Sequence, residues 1–378
     1  MTFKKINAWL HLWLGIASGI VVFVLGITGC VLVFEQEIKS LSAPWLHATP
    51  AAATGQAILK PSILYNAVQK ALPGREIESV WYHGENRTAH FSVHEMDSLV
   101  YVNPYTAEVV AMVKEKDIFQ FFKDGHFYMW LPEKIGHQVV GWGTLIFFFL
   151  LISGLILWWP KKWNKRGRDQ SFKIKWRAKF KRINYDLHNV LGFYSIIVAL
   201  LFAFTGLMMS FAWFNKSVFW LAGGENGKRI EALSDTTKNP QSNVLLQVDR
   251  AWKKGVYEIA EHRPFEIILH FPEKVSEAIY VCTDMYRGTW RDVYLDQHTL
   301  KELPASNKRL RDENLASWIR RSNYGLHVGE IGGLTTKIIF FLVSLICASL
   351  PITGFYIWWG KKKKKAKKNK NIPIPLKA

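Results

Sequence analysis

The sequence predicts an α-helical membrane protein with four transmembrane helices, which form two repeated pairs, and two α+β units outside the membrane. Three observations support this prediction: four long uncharged stretches, a basic excess confined to a few segments, and an internal repeat. Hydrophobic residues make up 49% of the 378-residue chain and charged residues 21%. Because the apolar residues are gathered into long blocks, a soluble protein of two or three domains is disfavoured.

Four stretches contain no Asp, Glu, Lys or Arg over a length that can cross a bilayer, which takes about 20 apolar residues. These stretches are Ile6–Phe34, Ile135–Pro160, Leu187–Asn215 and Ile338–Gly360. The transmembrane helices are therefore predicted at residues 6–35, 135–160, 187–215 and 333–360. The segments between and after them are residues 36–130, 161–182, 216–330 and 361–378.

The net charge of +19 comes from three parts of the chain. Lys4 and Lys5, the segment 161–182 and the tail 361–378 together carry 22 basic residues and one acidic residue, whereas the remainder is close to neutral. The positive-inside rule places these parts, and with them both termini, on the cytoplasmic face. No folded basic domain remains that would indicate nucleic-acid binding, and the tail is suited to contact anionic membrane lipid.

The two segments outside the membrane show the same order of predicted elements. An amphipathic helix is predicted at Ser62–Leu72 in the first and at Val244–Ala260 in the second. Alternating, β-branched and aromatic residues then predict strands in VWYHG, AHFSVHEM and LVYVNPYTAEVVAMV, and in FEIILHF, EAIYVCTDM and WRDVYLDQHTLKEL. Each segment is therefore predicted to fold as a small α+β unit of its own.

The transmembrane helices repeat in sequence, and the repeat aligns four histidines. INAWLHLWLGIASGIVVFVLGITG of the first helix aligns with INYDLHNVLGFYSIIVALLFAFTG of the third, which matches His11 with His188 and the later Thr-Gly pair in each. SGLILWW of the second helix aligns with TGFYIWW of the fourth, and His126 then falls beside His327 with one residue of slip. The chain is thus two copies of helix, outer unit and helix.

His11 and His188 occupy equivalent positions one to two turns inside the cytoplasmic boundary. An ionisable side chain inside a transmembrane helix is costly and therefore usually functional. A structural histidine bonded to a neighbouring helix is the alternative for either one, and the small residues that follow each histidine also suit close helix packing. Two equivalent histidines favour a flat macrocycle held between the helices. They are too few ligands for zinc, but they suit a bis-imidazole haem, whose porphyrin supplies four further nitrogens.

A second histidine pair is predicted near the outer boundary, where two assignments remain open. His126 with His327 is the first. His137 with His327 is the second, because His137 follows His126 by about three helical turns and would share its face on an unbroken helix, although Pro132 and Gly136 make such a helix doubtful. Because the chain has no CxxCH motif, both haems would be non-covalent. Two haems at opposite faces would form an electron path across the membrane.

Several motifs resemble the PepSY-associated transmembrane helix family. LHLWLG with ITG and LHNVLG with FTG stand in the outgoing helices, LHVGEIGG stands before the last helix, and a WW pair ends each returning helix. The outer segments resemble PepSY modules, whose closing hairpin is similar to VYVNPYTAEVV and VYLDQHTLKEL, although neither keeps the usual Gly after Thr. GHFYMWLPEKIGH departs most from the pattern, because it replaces the expected LH entry.

The resemblance implies a haem-dependent oxidoreductase of the bacterial inner membrane, which reduces a periplasmic ferric siderophore or another ferric chelate. It implies b-type haem at His11 with His188 and at an outer pair that includes His327. The electron donor would be a cytoplasmic partner or a quinol, because no nucleotide-binding GxGxxG motif appears in the required context. The alternative function is a membrane-anchored PepSY protein that binds or regulates secreted peptidases, whereas the uncharged helices disfavour a transporter.

Overall fold

The computed structural model describes residues 2–49, 55–160, 162–225, 230–237 and 243–370, with residues 362–370 described by their backbone. Contacts divide the chain into two units, which we call the helical unit and the sheet unit. The helical unit comprises Met1–Phe34, Phe119–Asn215 and Leu326–Ala378, and the sheet unit comprises Glu35–Ile118 and Lys216–Gly325.

Within the described residues, four helices of the helical unit are long and apolar enough to cross a membrane. They are span 1 (Phe3–Leu32), span 2 (Glu133–Trp158), span 3 (Phe180–Ser210) and span 4 (Leu334–Lys361). Span 3 begins at Phe180 rather than at the predicted residue 187, because an uncharged stretch marks the apolar part of a helix and not its first turn. Likewise, the helix that contains span 4 continues to Lys370.

Shorter helices connect or flank these spans. The predicted helix Ser62–Leu72 is observed at Pro61–Ala71, and the predicted helix Val244–Ala260 is observed at Val244–Lys254 followed by a π-helical turn. Among the residues that the structure describes, the other α-helices are Glu35–Ser42, Ile118–Tyr128, Lys165–Phe172, Ala212–Leu221 and Leu315–Val328.

The four spans pack as a closed bundle in which spans 1 and 3 are diagonal to each other. Span 1 packs mainly against spans 2 and 4, and span 3 packs against the same two. Small residues allow the closest approach, because a Cβ atom added at Gly26 of span 1 would lie 2.8 Å from the Cβ atom of Ala348 in span 4. Spans 1 and 3 carry the two inner histidines, which therefore approach each other across the bundle.

In its described residues, the sheet unit contains one antiparallel sheet of seven strands with the order β4-β3-β2-β1-β5-β6-β7. The strands are β1 Ile77–His83, β2 Ala89–Val93, β3 Ser98–Val102, β4 Val109–Lys114, β5 Glu266–His270, β6 Ile279–Thr283 and β7 Arg291–Leu295. The prediction of two α+β units is thereby corrected, because both outer segments share this sheet. Pairing β1 with β5 removes the unpaired backbone edge that each segment would otherwise expose.

One face of the sheet is covered by the helices Pro61–Ala71 and Val244–Lys254, which share its core. Alternate strand residues are fully buried in that core, as expected for a half-buried antiparallel sheet. The largest of them include Val80, Phe91, Val100, Ile267 and Leu269. The intervening residues, among them Trp81 and His90, belong to the opposite face.

Two matching turns each contain a residue other than glycine in a left-handed conformation. Ala107 and Leu300 have left-handed backbone angles, with φ values of 60° and 55°. A residue with a Cβ atom pays about 1–2 kcal/mol for this conformation. The chain therefore keeps the turn at a local energetic cost.

We expect the Ala107→Gly substitution to raise the free energy of unfolding by up to about 1 kcal/mol. Glycine relieves the left-handed strain, and this gain exceeds the entropy that glycine adds to the unfolded chain. Thermal denaturation of the full-length protein in detergent measures the effect. Ala111→Gly in β4 is the control, which should lower the melting temperature, and a lower melting temperature for Ala107→Gly would contradict the prediction.

Candidate functional site

The inner histidine pair lies across the bundle between spans 1 and 3. His11 belongs to span 1, and His188 belongs to a π-helical turn of span 3, Leu187–Leu191. The centroids of their imidazole rings are 6.4 Å apart. Nδ1 of His11 lies 2.8 Å from Oγ of Ser153 on span 2, and Nδ1 of His188 lies 2.9 Å from Oγ1 of Thr353 on span 4.

The outer histidine pair repeats this arrangement at the other end of the spans. His126 lies on the helix before span 2, and His327 lies on the helix before span 4, with ring centroids 6.2 Å apart. Nδ1 of His126 lies 2.9 Å from Oγ1 of Thr28 on span 1, and Nδ1 of His327 lies 2.8 Å from Oγ1 of Thr205 on span 3. Each span thus contributes one hydroxyl group to one histidine.

His137 does not take part in either ring pair. The helix that carries His126 ends at Tyr128, and span 2, which carries His137, begins at Glu133. Left-handed backbone angles at two residues, with φ values of 55° each at Met129 and Trp130, turn the chain between them. The two histidines therefore do not share one helix face, and the ring beside His327 is that of His126.

The hydroxyl groups determine which ring nitrogen of each histidine carries the proton. Each hydroxyl has one proton and also lies within donor distance of a carbonyl oxygen of its own helix. The distances are 2.7 Å from Thr28 to Val24, 2.5 Å from Thr205 to Leu201, 3.0 Å from Thr353 to Ser349 and 3.0 Å from Ser153 to Leu150. Because the hydroxyl donates to this carbonyl, it accepts from the Nδ1–H group of the histidine. The lone pair of Nε2 then remains free to bind a metal.

A glycine follows each of these four hydroxyl residues and makes room for the histidine ring. In its place, the Cβ atom of another residue would crowd the Cε1 atom of the imidazole at the inner pair and would touch it at van der Waals distance at the outer pair. The distances from such a Cβ atom to Cε1 would be 3.2 Å from Gly154 to His11, 3.3 Å from Gly354 to His188, 3.5 Å from Gly29 to His126 and 3.6 Å from Gly206 to His327. Each Ser-Gly or Thr-Gly dipeptide thus supplies a hydroxyl group that orients the imidazole ring and a glycine that leaves space beside it.

Sequence reasoning aligned the Thr-Gly and Ser-Gly dipeptides in the repeat but assigned them no role. One signal could have indicated their function, since such a dipeptide recurs at a matching place in each predicted transmembrane helix. The pairing of each hydroxyl with a histidine on a different helix leaves no trace in the sequence. That pairing depends on the order of helices around the bundle.

The geometry of both pairs fits bis-imidazole ligation of a haem iron. Imidazole nitrogen binds metals at about 2 Å, and the ring centre lies about 1 Å beyond, so two axial imidazoles place their centroids about 6 Å apart. The observed separations of 6.4 and 6.2 Å agree with this value. Among the described residues, no group of three or more His, Cys, Asp or Glu side chains is arranged to hold a bare metal ion.

The protonation state of the outer pair also suits a metal ligand. Burial lowers the pKa of His126 to about 4. Burial also lowers the pKa of His327, and the nearby imidazole of His126 adds to this shift, which brings the pKa to about 3. Both imidazoles are therefore neutral at neutral pH. A neutral imidazole with a free Nε2 lone pair is the form of histidine that coordinates metals.

Comparison with known proteins places the chain in a family. Comparison with curated proteins finds no match. The sequence matches the PepSY-associated TM region over residues 8–361, which is nearly the whole chain. Together with the four apolar spans, this match identifies the chain as a multi-pass membrane protein that belongs to the PepSY-associated TM region family.

Proposed function

We propose that this chain binds two non-covalent b-type haems and conducts electrons across the bacterial inner membrane to a ferric chelate, with a ferric siderophore as the physiological acceptor. The observation that carries the proposal is the presence of two equivalent imidazole pairs, 6.4 and 6.2 Å between ring centroids. When bound, haem supplies reversible one-electron chemistry. His11 with His188 and His126 with His327 would hold the haems, and the protein would fix their tautomer and shield each site from water.

The two histidine pairs are separated along the same helices. Thr28 follows His11 on span 1 by between four and five helical turns, and Thr205 follows His188 on span 3 by the same interval. Because the two threonines hold the outer histidines and a helix rises about 5.4 Å per turn, the pairs are about 25 Å apart along the helix axis. That distance is most of the roughly 30 Å hydrocarbon core of a bilayer, which favours one site near each face.

The charge distribution supports the direction of transfer. The basic excess lies before span 1, between spans 2 and 3, and after span 4, and positive segments favour the cytoplasmic side. Both termini are then cytoplasmic and the sheet unit is periplasmic. A haem held by the inner pair would take electrons from a quinol or a cytoplasmic protein, and a haem held by the outer pair would pass them to the periplasmic acceptor.

Reduction of the acceptor explains how the protein would release iron. One electron converts Fe(III) to Fe(II), and the hard oxygen ligands of a siderophore hold the divalent ion less tightly. The chelator itself is neither oxidised nor cleaved, so its protons and bonds are unchanged apart from those to iron. The reaction thus needs only a one-electron donor and a place for the chelate to bind.

The test of the proposal is the haem content of the purified protein. We expect full-length protein from haem-replete cells to be red and to contain two haems per chain in the pyridine haemochrome assay, because each histidine pair offers one bis-imidazole site. One haem or fewer in fully loaded protein contradicts the two-site proposal. A colourless protein that inhibits a secreted peptidase would instead support a membrane-anchored PepSY regulator.

The hydroxyl groups should tune the reduction potentials. We expect Thr353→Val to raise the midpoint potential of the inner haem by roughly 20–60 mV, because it leaves Nδ1 of His188 with the longer contact, 3.2 Å, to the carbonyl oxygen of Leu350. The weaker hydrogen bond makes His188 a weaker electron donor to ferric iron. Thr353→Ser keeps the hydroxyl and should leave the potential unchanged. Spectroelectrochemical titration in detergent resolves both variants, and equal potentials for Thr353→Val and the parent protein would show that the hydroxyl has no such role.

A further inference from the structure

The sheet unit contains an open cavity of about 1010 Å³. Its floor is the sheet face opposite the two core helices and consists of Trp81 and His83 on β1, His90 on β2 and Tyr101 on β3. The volume lies at the upper end of the range for small-molecule sites. The cavity can therefore take a ligand larger than a typical metabolite.

The floor side chains pack closely against one another, unlike side chains on an ordinary solvent-facing sheet surface. The rings of Trp81 and His83 stack with centroids 4.7 Å apart, and Nε2 of His83 lies 2.8 Å from Nδ1 of His90. The buried Nε1–H group of Trp81 has no hydrogen-bond acceptor among the described residues. A buried donor without a partner costs free energy, and an oxygen atom of a ligand would satisfy it.

The floor carries no charge at neutral pH. Burial lowers the pKa of His90 to about 4. Burial, with contributions from the nearby His90 and Arg87, lowers the pKa of His83 well below its usual range. Burial also raises the pKa of Tyr101. The floor is therefore a neutral, largely aromatic surface with one free N–H donor.

The walls of the cavity carry balanced charges. Among the described lining residues, three are basic and three are acidic: Lys39, Arg87, Arg263, Glu37, Glu85 and Glu266. Lys39 is already bound to two carboxylates outside the lining, at 2.6 Å from Glu35 and 2.7 Å from Asp117. The cavity thus offers no excess of positive charge to a ligand.

We propose that this cavity binds the ferric acceptor and that it favours chelates of low net charge over strongly anionic ones. The inference rests on the proposed function, which it deepens by naming the residues that hold the acceptor. Three singly charged hydroxamates neutralise a trivalent metal, whereas three doubly charged catecholates leave three negative charges on the complex. Clustered Arg and Lys side chains normally bind a strongly anionic ligand. In this lining the basic residues do not outnumber the acidic ones.

Binding of a redox-inert chelate separates this inference from electron transfer. We expect isothermal titration of the full-length, haem-loaded protein to show binding of a gallium trihydroxamate and little binding of a gallium tris-catecholate. Trp81→Phe should weaken trihydroxamate binding by about tenfold, because it removes one buried hydrogen bond. Trp318→Phe, on a helix that does not line the cavity, is the matched control and should bind like the parent protein.

A charge-reversal variant gives a result that a misfolded protein cannot mimic. Glu85→Lys should improve tris-catecholate binding by roughly fivefold, because it leaves the lining with an excess of positive charge. Glu108→Lys makes the same charge change on an exposed turn outside the cavity and should have no such effect. Unchanged binding in both Trp81→Phe and Glu85→Lys, with reduction of ferric chelates intact, would overturn the cavity assignment and leave the proposed function standing. A protein that reduces no ferric chelate at all would instead overturn the proposed function.

Discussion

Replacing His188 by alanine should leave the purified protein with one low-spin haem per chain instead of two. His188 and His11 are the two imidazoles of the inner pair, with ring centroids 6.4 Å apart. A single remaining axial histidine cannot form the six-coordinate, bis-imidazole complex, and the cavity left by the lost ring admits water. We therefore expect the inner haem to be lost or converted to a high-spin form, while the outer haem keeps its low-spin spectrum.

The measurement is a pyridine haemochrome assay combined with the absorption and electron paramagnetic resonance spectra of the ferric protein. His137→Ala is the matched control, because His137 belongs to neither ring pair, and it should retain both haems. Added imidazole should restore a low-spin signal to His188→Ala by filling the vacated position. A full haem complement with an unchanged spectrum in His188→Ala would show that this pair is not a haem site.

The spans of the helical unit and the inner histidine pair could be predicted because the patterns that specify them are local in sequence. Absence of charge over about 20 residues indicates a span in any context, and a repeated Leu-His with a later Thr-Gly aligns His11 with His188 without knowledge of the fold. The sequence could not decide in the same way whether His126 or His137 pairs with His327. It depended on the left-handed turn at Met129 and Trp130, residues for which such a conformation is uncommon.

The sheet unit shows a different limit of sequence reasoning. Alternation identified most strands, because period-two burial is recorded in each strand's own residues. The pairing of β1 with β5 joins strands from the two different outer segments, as in Trp81 with Ile268. The sequence of an edge strand does not indicate which strand it pairs with. The sequence therefore predicted two separate units, whereas the structure has one sheet. The outline of the cavity depends on the same pairing, since its walls come from both segments.

Replacing His327 by alanine should abolish reduction of a periplasmic ferric chelate while leaving the inner haem able to accept electrons. His327 supplies one of the two imidazole rings of the outer pair, and its Nδ1 is held 2.8 Å from Oγ1 of Thr205. The inner pair is held by hydroxyl groups of other helices and is about 25 Å away along the axis. Loss of the outer ligand therefore interrupts the path without dismantling the inner site.

Proteoliposomes with the protein in one orientation, reduced from the side of the basic termini, provide the test. A bulky, membrane-impermeant ferric chelate should reoxidise the parent protein only from the side of the sheet unit. His327→Ala should lose nearly all of that reoxidation, whereas the control His137→Ala should reoxidise normally. Equal reoxidation from both sides would contradict the proposed direction, and normal reduction by His327→Ala would exclude the outer pair from the path.

The choice of acceptor separates the two parts of the proposal, because the proposed electron path rests on the histidine pairs, whereas the proposed substrate rests on the acceptor site. If every ferric chelate fails while another acceptor on the side of the sheet unit succeeds, electron transfer across the membrane stands and the siderophore assignment is wrong. His327→Ala should block that other acceptor as well, since on the proposed path any acceptor on this side would take its electron from the outer haem.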